Sequence, residues 1–265
     1  MTTRRNILKG GAGLAAILAA QSAPAILVRS MVAARGSFFG MGGGAKIPTA
    51  ADYVQDGLIA MWDGIENAGW GVHDANATVW KDLIGTRDAT LSGSFAWGPN
   101  FWDVRSVSGM GLATWDGTNL PVSQTWEIVI HPSATSGYGR IIAEGGQGVA
   151  SPVIENRSNR LYMYGYGRDN ASDPISGYSN LDLHSHVIVH PSGGPFYYYI
   201  DGVQKWTQTT STDSIGFTSA FFANRANLQR GLDAKYYSVR LYARALTAAE
   251  IAANNAVDKA RFNLA

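Results

Sequence analysis

The feature that most restricts the fold is a two-residue rhythm. In "RLYMYGYGR", Leu161, Met163 and Gly165 fall on one side while Tyr162, Tyr164 and Tyr166 fall on the other. That is the repeat of a pleated strand, not of a helix. "SQTWEIVIHPS" sets Trp126, Ile128 and Ile130 against Glu127, Val129 and His131, and "PFYYYIDG" sets Phe196, Tyr198 and Ile200 against Tyr197 and Tyr199. Asp63-Gly64, Asp116-Gly117 and Asp201-Gly202 close such runs with turn-forming residues. The last has the spacing of a two-residue hairpin turn. About a dozen runs of this kind, with turn signals roughly every 8–12 residues, predict an all-β fold, an antiparallel β-sandwich. Nothing alternates strands with long helices, which argues against a doubly wound sheet. One helix is predicted near the end. Thr247 and Glu250 form a capping box, with Leu246 and Ile251 placed as a hydrophobic staple. It should run to about Arg261 and pack on the sandwich edge.

Composition supports a single large β domain. Of 265 residues, 46% are hydrophobic, and Gly (31), Tyr (12) and Trp (8) are plentiful. Only 15% are charged and the formal net charge is +1, so no basic excess exists to neutralise phosphates and no nucleic-acid partner is expected. The absence of cysteine excludes disulfides, thiolate chemistry and zinc sites built on thiolates.

The first 25 residues read as an export leader. Thr3-Arg4-Arg5-Asn6-Ile7-Leu8-Lys9 resembles the twin-arginine signal, with Ile7 where Phe is commoner. The Gly/Ala-rich segment that follows is too short for a permanent span, which needs about 20 apolar residues. Ala23-Pro24-Ala25 supplies a cleavage site ending at Ala25. An uncleaved N-terminal helix docked on a partner is the other reading. Residues 26–50 read as a flexible Gly/Ala-rich linker, in which "ILVRSMVAARGSFF" has the pattern of a short helix. Residues 51–265 form the domain. Export to the periplasm, cell surface or medium is expected, with the membrane met only through the leader before cleavage.

The residues of this domain resemble a known family. "FYYYIDGVQKW" followed by "GLDAKYYSVRLYARALTAAEI" is similar to the C-terminal half of a laminin G-like domain of the concanavalin A-like lectin/glucanase superfamily. The matches are Asp201, Gly202 and Val203; Val239 to Tyr242, then Arg244, Ala245 and Leu246; and Thr247, Glu250 and Ile251. "DGLIAMWDG", "WKDLIGTRDATL" and "TWEIVIHPS" resemble earlier segments of such domains, so the likeness runs from Asp56 to Phe262. It implies a jelly-roll sandwich of two curved sheets. It also implies ligands on the concave face or rim loops, sometimes beside calcium. It implies little about activity, because the fold hosts lectins, hydrolases, adhesion modules and virion proteins.

A glycan hydrolase would need two carboxylates about 5–9 Å apart across a sugar. The superfamily's glucanases carry them close together on one strand. The five glutamates, at 66, 127, 144, 155 and 250, show no such pattern; Glu127 stands alone and Glu250 is a cap. No catalytic residue is therefore assigned. His184 and His186 share a strand face and suit either a metal pair with a third ligand or the opening of a strand. Asp169, Asn170 and Asp173 in "GRDNASDP" offer oxygens to calcium or simply form a turn. No cofactor is certain; calcium is the one considered.

Between two strands lies "DGIENAGWGVHDANAT". Trp70, flanked by glycines, can stack on the apolar face of a pyranose while Asp63, Asn67, His73 and Asp74 bind hydroxyls. Alternatively, Trp70 folds back to plug the end of the sandwich. The leading reading of function is a non-catalytic, lectin-like binding module for carbohydrate or a surface protein. A structural or adhesive subunit of a fibre, coat or phage particle, with possible self-assembly, comes second. A glycan hydrolase comes third.

Overall fold

The computed structural model describes residues 47–105, 111–118, 120–133, 138–144, 153–157, 160–165, 168–172, 182–208, 219–224 and 231–265. The leader with Arg4, Arg5 and Ala25, and nearly all of the linker, lie outside the described residues. Within Ala45–Ala265, which forms one unit, the early strands are β1 (Leu58–Asp63), β2 (Val79–Trp80), β3 (Ala89–Ser92), β4 (Phe95–Trp97), β5 (Trp102–Arg105), β6 (Leu112–Asp116) and β7 (Gln124–Pro132). The middle strands are β8 (Tyr138–Glu144), β9 (Val153–Arg157), β10 (Arg160–Gly165), β11 (Arg168–Ser172) and β12 (His184–His190). Last come β13 (Phe196–Ile200), β14 (Val203–Gln208), β15 (Ser219–Phe222) and β16 (Asp233–Tyr242), before helix α1 (Ala248–Phe262).

These strands make two antiparallel sheets. One runs β14-β13-β12-β7-β16-β5-β4, with β1 also beside β16; the other runs β11-β10-β9-β8-β15-β6-β3-β2. The all-β sandwich with one C-terminal helix is thus observed. The Asp201-Gly202 turn takes positive φ at both residues (51° and 77°), the geometry that matches strand twist in a two-residue hairpin.

Indole rings fill the space between the sheets. Trp62, Trp80, Trp102, Trp115 and Trp126 are all buried there. Trp62 and Trp115 meet at 5.0 Å between ring centroids and Trp115 and Trp126 at 5.6 Å, in tilted contacts that favour aromatic quadrupoles.

The first sheet departs from simple alternation. β7, β12 and β16 are buried along most of their length on both faces. The cause is α1, which lies on the outer face of this sheet and not on its edge as the sequence suggested. Ile251 packs there with Met61, Val187, Val189, Tyr199 and Tyr242. Leu246 joins the same cluster, so the staple closes as expected. A register shift between Tyr236 and Ser238 then sets Arg240 on the outer face, directly opposite Glu127.

The helix begins where the capping residues place it. Thr247 Oγ1 accepts from the Glu250 backbone N–H at 3.3 Å, and Glu250 Oε2 accepts from the Thr247 N–H at 2.8 Å. Hydrogen bonds from Arg244, with those of the cap, hold the Glu250 carboxyl down at about 2. Thr247→Ala should cost about 1 kcal/mol; urea denaturation showing no loss would contradict the cap's role.

Candidate functional site

The loop after β1 is organised from its base outwards. Asp63 ends the strand and is fully buried; its Oδ1 accepts from Ile65 N (2.9 Å), Glu66 N (3.3 Å) and Arg261 Nη2 (3.0 Å). Burial pushes its carboxyl up to about 6, against the pull of Arg261. Asn67 is also fully buried. Its side chain clamps the backbone of Asp74 from both sides, donating to the carbonyl (2.8 Å) and accepting from the N–H (2.7 Å). The loop therefore returns on itself. Val72 N donates to Gly69 O at 2.9 Å, with Gly69 and Gly71 at positive φ (127° and 69°) that a side chain would strain.

Trp70 sits at the tip of this return and is 49% exposed. Its indole N–H is not free: Nε1 donates to the Leu83 carbonyl at 2.6 Å. Trp70 is therefore not a plug. One edge of the ring is tethered, and about half of the residue meets solvent. Val72 (51%) and Ile84 (36%) are exposed on the same two loops, so three of the five large exposed hydrophobics among the described residues belong to this region. Beside them His73 places Nδ1 3.1 Å from the Gly64 carbonyl, which can only accept, so Nδ1 carries the proton. Its ring stands edge-on to Trp97 at 6.4 Å. Asp74 is exposed and its Oδ1 accepts from Asn76 N at 2.8 Å.

Of the five residues expected to touch a ligand, Trp70, His73 and Asp74 thus face outwards. Asp63 and Asn67 do not. They are buried: Asn67 spends its side-chain atoms on the loop backbone, and Asp63 Oδ1 is shared between two loop N–H groups and Arg261, because a chain that reverses this tightly must pair its backbone groups internally. Val72 and Ile84 were missed by sequence reasoning. Isolated exposed apolar residues carry no pattern, and hydrogen bonds to backbone carbonyls, from Trp70 Nε1 to Leu83 O and from Lys81 N to Asn67 O, bring the second loop alongside.

That second loop, residues 81–88, hangs from Asp82. Its Oδ1 accepts from Met61 N (2.9 Å) and Ile84 N (3.0 Å), and its Oδ2 from Arg87 N (3.0 Å). The Trp-Lys-Asp-Leu segment owes its form to this carboxylate, which occupies the position of a missing strand partner.

Under α1 lies a buried charged network. Arg240 Nε donates to Glu127 Oε2 (2.8 Å), while Nη1 and Nη2 grip Asp258 at 2.8 and 2.7 Å. Tyr53 covers the guanidinium at 3.9 Å and donates its hydroxyl to Asp258 Oδ1. Asn254 Nδ2 also donates to Glu127 Oε2. Glu127, which belongs to no carboxylate pattern in the sequence, is thus buried and held by a cation and an amide. Desolvation pushes its carboxyl up to about 7, although Arg240 pulls the other way. A raised acid favours folding below its unfolded pKa and loses that contribution as pH rises through the folded value. Wild-type stability relative to Glu127→Gln should therefore fall as pH rises from about 4.5 to about 7, by roughly 3 kcal/mol in all. Parallel profiles from chemical denaturation would refute this. His186 acts in the opposite sense: burial lowers it to about 3, so its contribution is lost as pH drops below its unfolded value. The comparison with the glutamine variant separates the two.

The remaining sequence candidates fall elsewhere. His186 Nδ1 lies 2.6 Å from the Tyr198 hydroxyl and His184 Nδ1 2.7 Å from Asp201 Oδ2. Both rings are engaged as strand residues, and no metal-ligating cluster is found among the described residues. The loop proposed for calcium is a strand over Arg168–Ser172. The side chains of Asp169 and Asn170, and all of Asp173, lie outside the described residues.

The family model for the concanavalin A-like lectin/glucanases superfamily matches residues 108–252, more than half of the chain. The chain belongs to that superfamily. The Trp70 and Asp82 loops lie ahead of the matched span. No curated protein matches the sequence. Among solved structures, this superfamily member is similar to Trypanosoma rangeli sialidase in complex with sialic acid (18% identity, TM-score 0.59, 82% of this chain and 34% of that one). It is also similar to a mutant of that sialidase displaying trans-sialidase activity (15%, 0.59, 82% and 35%) and to HCR/D-Sa-GBL1/C (14%, 0.58, 76% and 52%). The chain spans about a third of the sialidases' length and half of the other's. At these identities the likeness is one of fold. The superfamily's name joins lectins and glucanases, and carbohydrate binding is compatible with membership.

Several carboxylates of this lectin/glucanase-like domain have structural partners. Glu127 and Asp258 hold Arg240, Glu250 holds Arg244, Asp63 holds Arg261, and Asp82 holds backbone N–H groups. The clue to the network was in the sequence: Glu127 and Arg240 each interrupt an apolar strand, and a charge in such a place requires a partner.

Proposed function

We propose that the protein is a non-catalytic carbohydrate-binding module that acts outside the cytoplasm, with Trp70 as the ring on which a sugar stacks. The observation that carries this reading is the tethered, half-exposed indole. Its N–H is already satisfied by Leu83, so the ring offers a ligand its apolar face and little else. A pyranose, with a C–H face and a rim of hydroxyls, suits such a surface. Val72 and Ile84 extend the apolar area, and His73 and Asp74 supply polar groups at its border. Holding the ring in one orientation before binding removes an ordering cost that a mobile side chain would incur. Asp169, Asn170 and Asp173 are retained as a proposed calcium site. Export through the Arg4-Arg5 leader, with cleavage after Ala25, would deliver the module to the periplasm, cell surface or medium.

A glycan array probed with the purified protein, with and without calcium, tests the proposal. Binding to a defined set of pyranosides is the expected result. No binding to any glycan in either condition would overturn it. Turnover of a bound glycan would replace the non-catalytic reading with a hydrolase.

A further inference from the structure

We propose that Asp82 is the positioning residue for the Trp70 ring, acting through a single peptide plane. The inference rests on the reading of Trp70 as the ligand-facing ring. The Leu83 carbonyl that receives the indole N–H and the Ile84 N–H that donates to Asp82 Oδ1 belong to the same peptide unit. That unit is planar and its two polar groups point in opposite directions. Whatever fixes the N–H therefore fixes the carbonyl, and with it the far end of the indole. Asp82 Oδ1 makes this bond while also accepting from Met61 N on the first strand of the domain. One oxygen thus references the peptide to β1. The other oxygen stops the loop from swinging by holding Arg87 N at 3.0 Å. Further ties run in the same direction. Leu83 N donates to Met61 O at 2.8 Å, Trp62 Nε1 donates to Arg87 O at 2.9 Å, and Asp82 N donates to Asp88 Oδ1 at 3.0 Å. Ile84, part of the exposed apolar surface, is carried by the same peptide. Asp82 touches no ligand in this scheme; it sets where Trp70 and Ile84 stand.

The test uses protein labelled with 5-fluorotryptophan, observed by fluorine NMR without any glycan. The Trp70 and Trp126 resonances are assigned through Trp→Phe substitutions. Asp82→Ala removes both acceptor oxygens, so the Met61, Ile84 and Arg87 N–H groups all lose their side-chain partner. Gly85→Ala disturbs the same carboxylate independently, because a Cβ there would sit 3.0 Å from Asp82 Oδ2. In both variants the Trp70 resonance should move towards its unfolded position, while that of Trp126, in the core, stays in place. A general loss of structure would move both resonances, and in that event the other variant decides. An unmoved Trp70 resonance in a variant whose Trp126 resonance is native would overturn the proposal. Because no sugar is present, a failed glycan array leaves this result intact, and a failed NMR result leaves the array's result intact.

Discussion

Arg240→Met is expected to destabilise the protein by about 3–5 kcal/mol, the usual cost of removing one partner from a buried ion pair. Arg240 is completely buried. It is the cation that balances Glu127 and Asp258, both of which are also inaccessible to water. Methionine matches much of its length but none of its charge. Two buried carboxyl groups would then be left under α1 without the guanidinium that holds them. The helix and the Tyr53 segment are held to the sheet by the same groups, so the loss should spread to both. Urea denaturation monitored by tryptophan fluorescence measures it; a loss below about 1 kcal/mol would show that the network carries little of the docking energy. Adding Glu127→Gln and Asp258→Asn to Arg240→Met should restore part of the stability. That non-additivity identifies uncompensated charge, and not lost packing, as the cause.

The second large effect concerns binding. Trp70→Ala should weaken binding to a glycan identified on the array by about 2 kcal/mol or more, the scale of an aromatic anchor at a recognition site, or roughly 30-fold in Kd. Thermal stability should change little. The ring packs into no core cluster, and exposed substitutions usually stay within about 0.5 kcal/mol. Titration calorimetry and a melting curve on the same sample separate the two quantities. Unchanged affinity would remove Trp70 from the site. A large fall in melting temperature would mean that the indole tether to Leu83 is chiefly structural.

Local physics explains which parts of this molecule could be read directly from residues. The hairpin at Asp201-Gly202, the cap at Thr247 and the inward row Trp126, Ile128 and Ile130 each depend on neighbours within a few positions. The Arg240 network does not: Glu127 is 113 positions away and reaches Arg240 only after strand pairing and a bulge. The docking of α1 on the sheet face escapes sequence reading for the same reason. Its polar residues Asn254 and Asp258 look solvent-facing until their partners on the sheet are known. At the candidate site, Trp70 stands out by its glycine neighbours. Whether it faces inwards or outwards is decided by Leu83 O, a backbone atom with no signature in the sequence. Asp63 and Asn67 read as ligand contacts because a polar side chain that builds a loop and one that binds through it look alike in sequence.

Tyr53 donates to Asp258 and Val54 N donates to Asn254 Oδ1 at 2.8 Å, so the first and last described segments of the domain are fastened side by side. A unit whose entry and exit adjoin can be spliced into a host chain without forcing the host's own ends apart. It can also be circularly permuted by a short bridge between them. By the same geometry, trimming to Asp56 would take the Tyr53 hydroxyl from Asp258 and the Val54 N–H from Asn254, so a workable boundary for this domain lies before Tyr53.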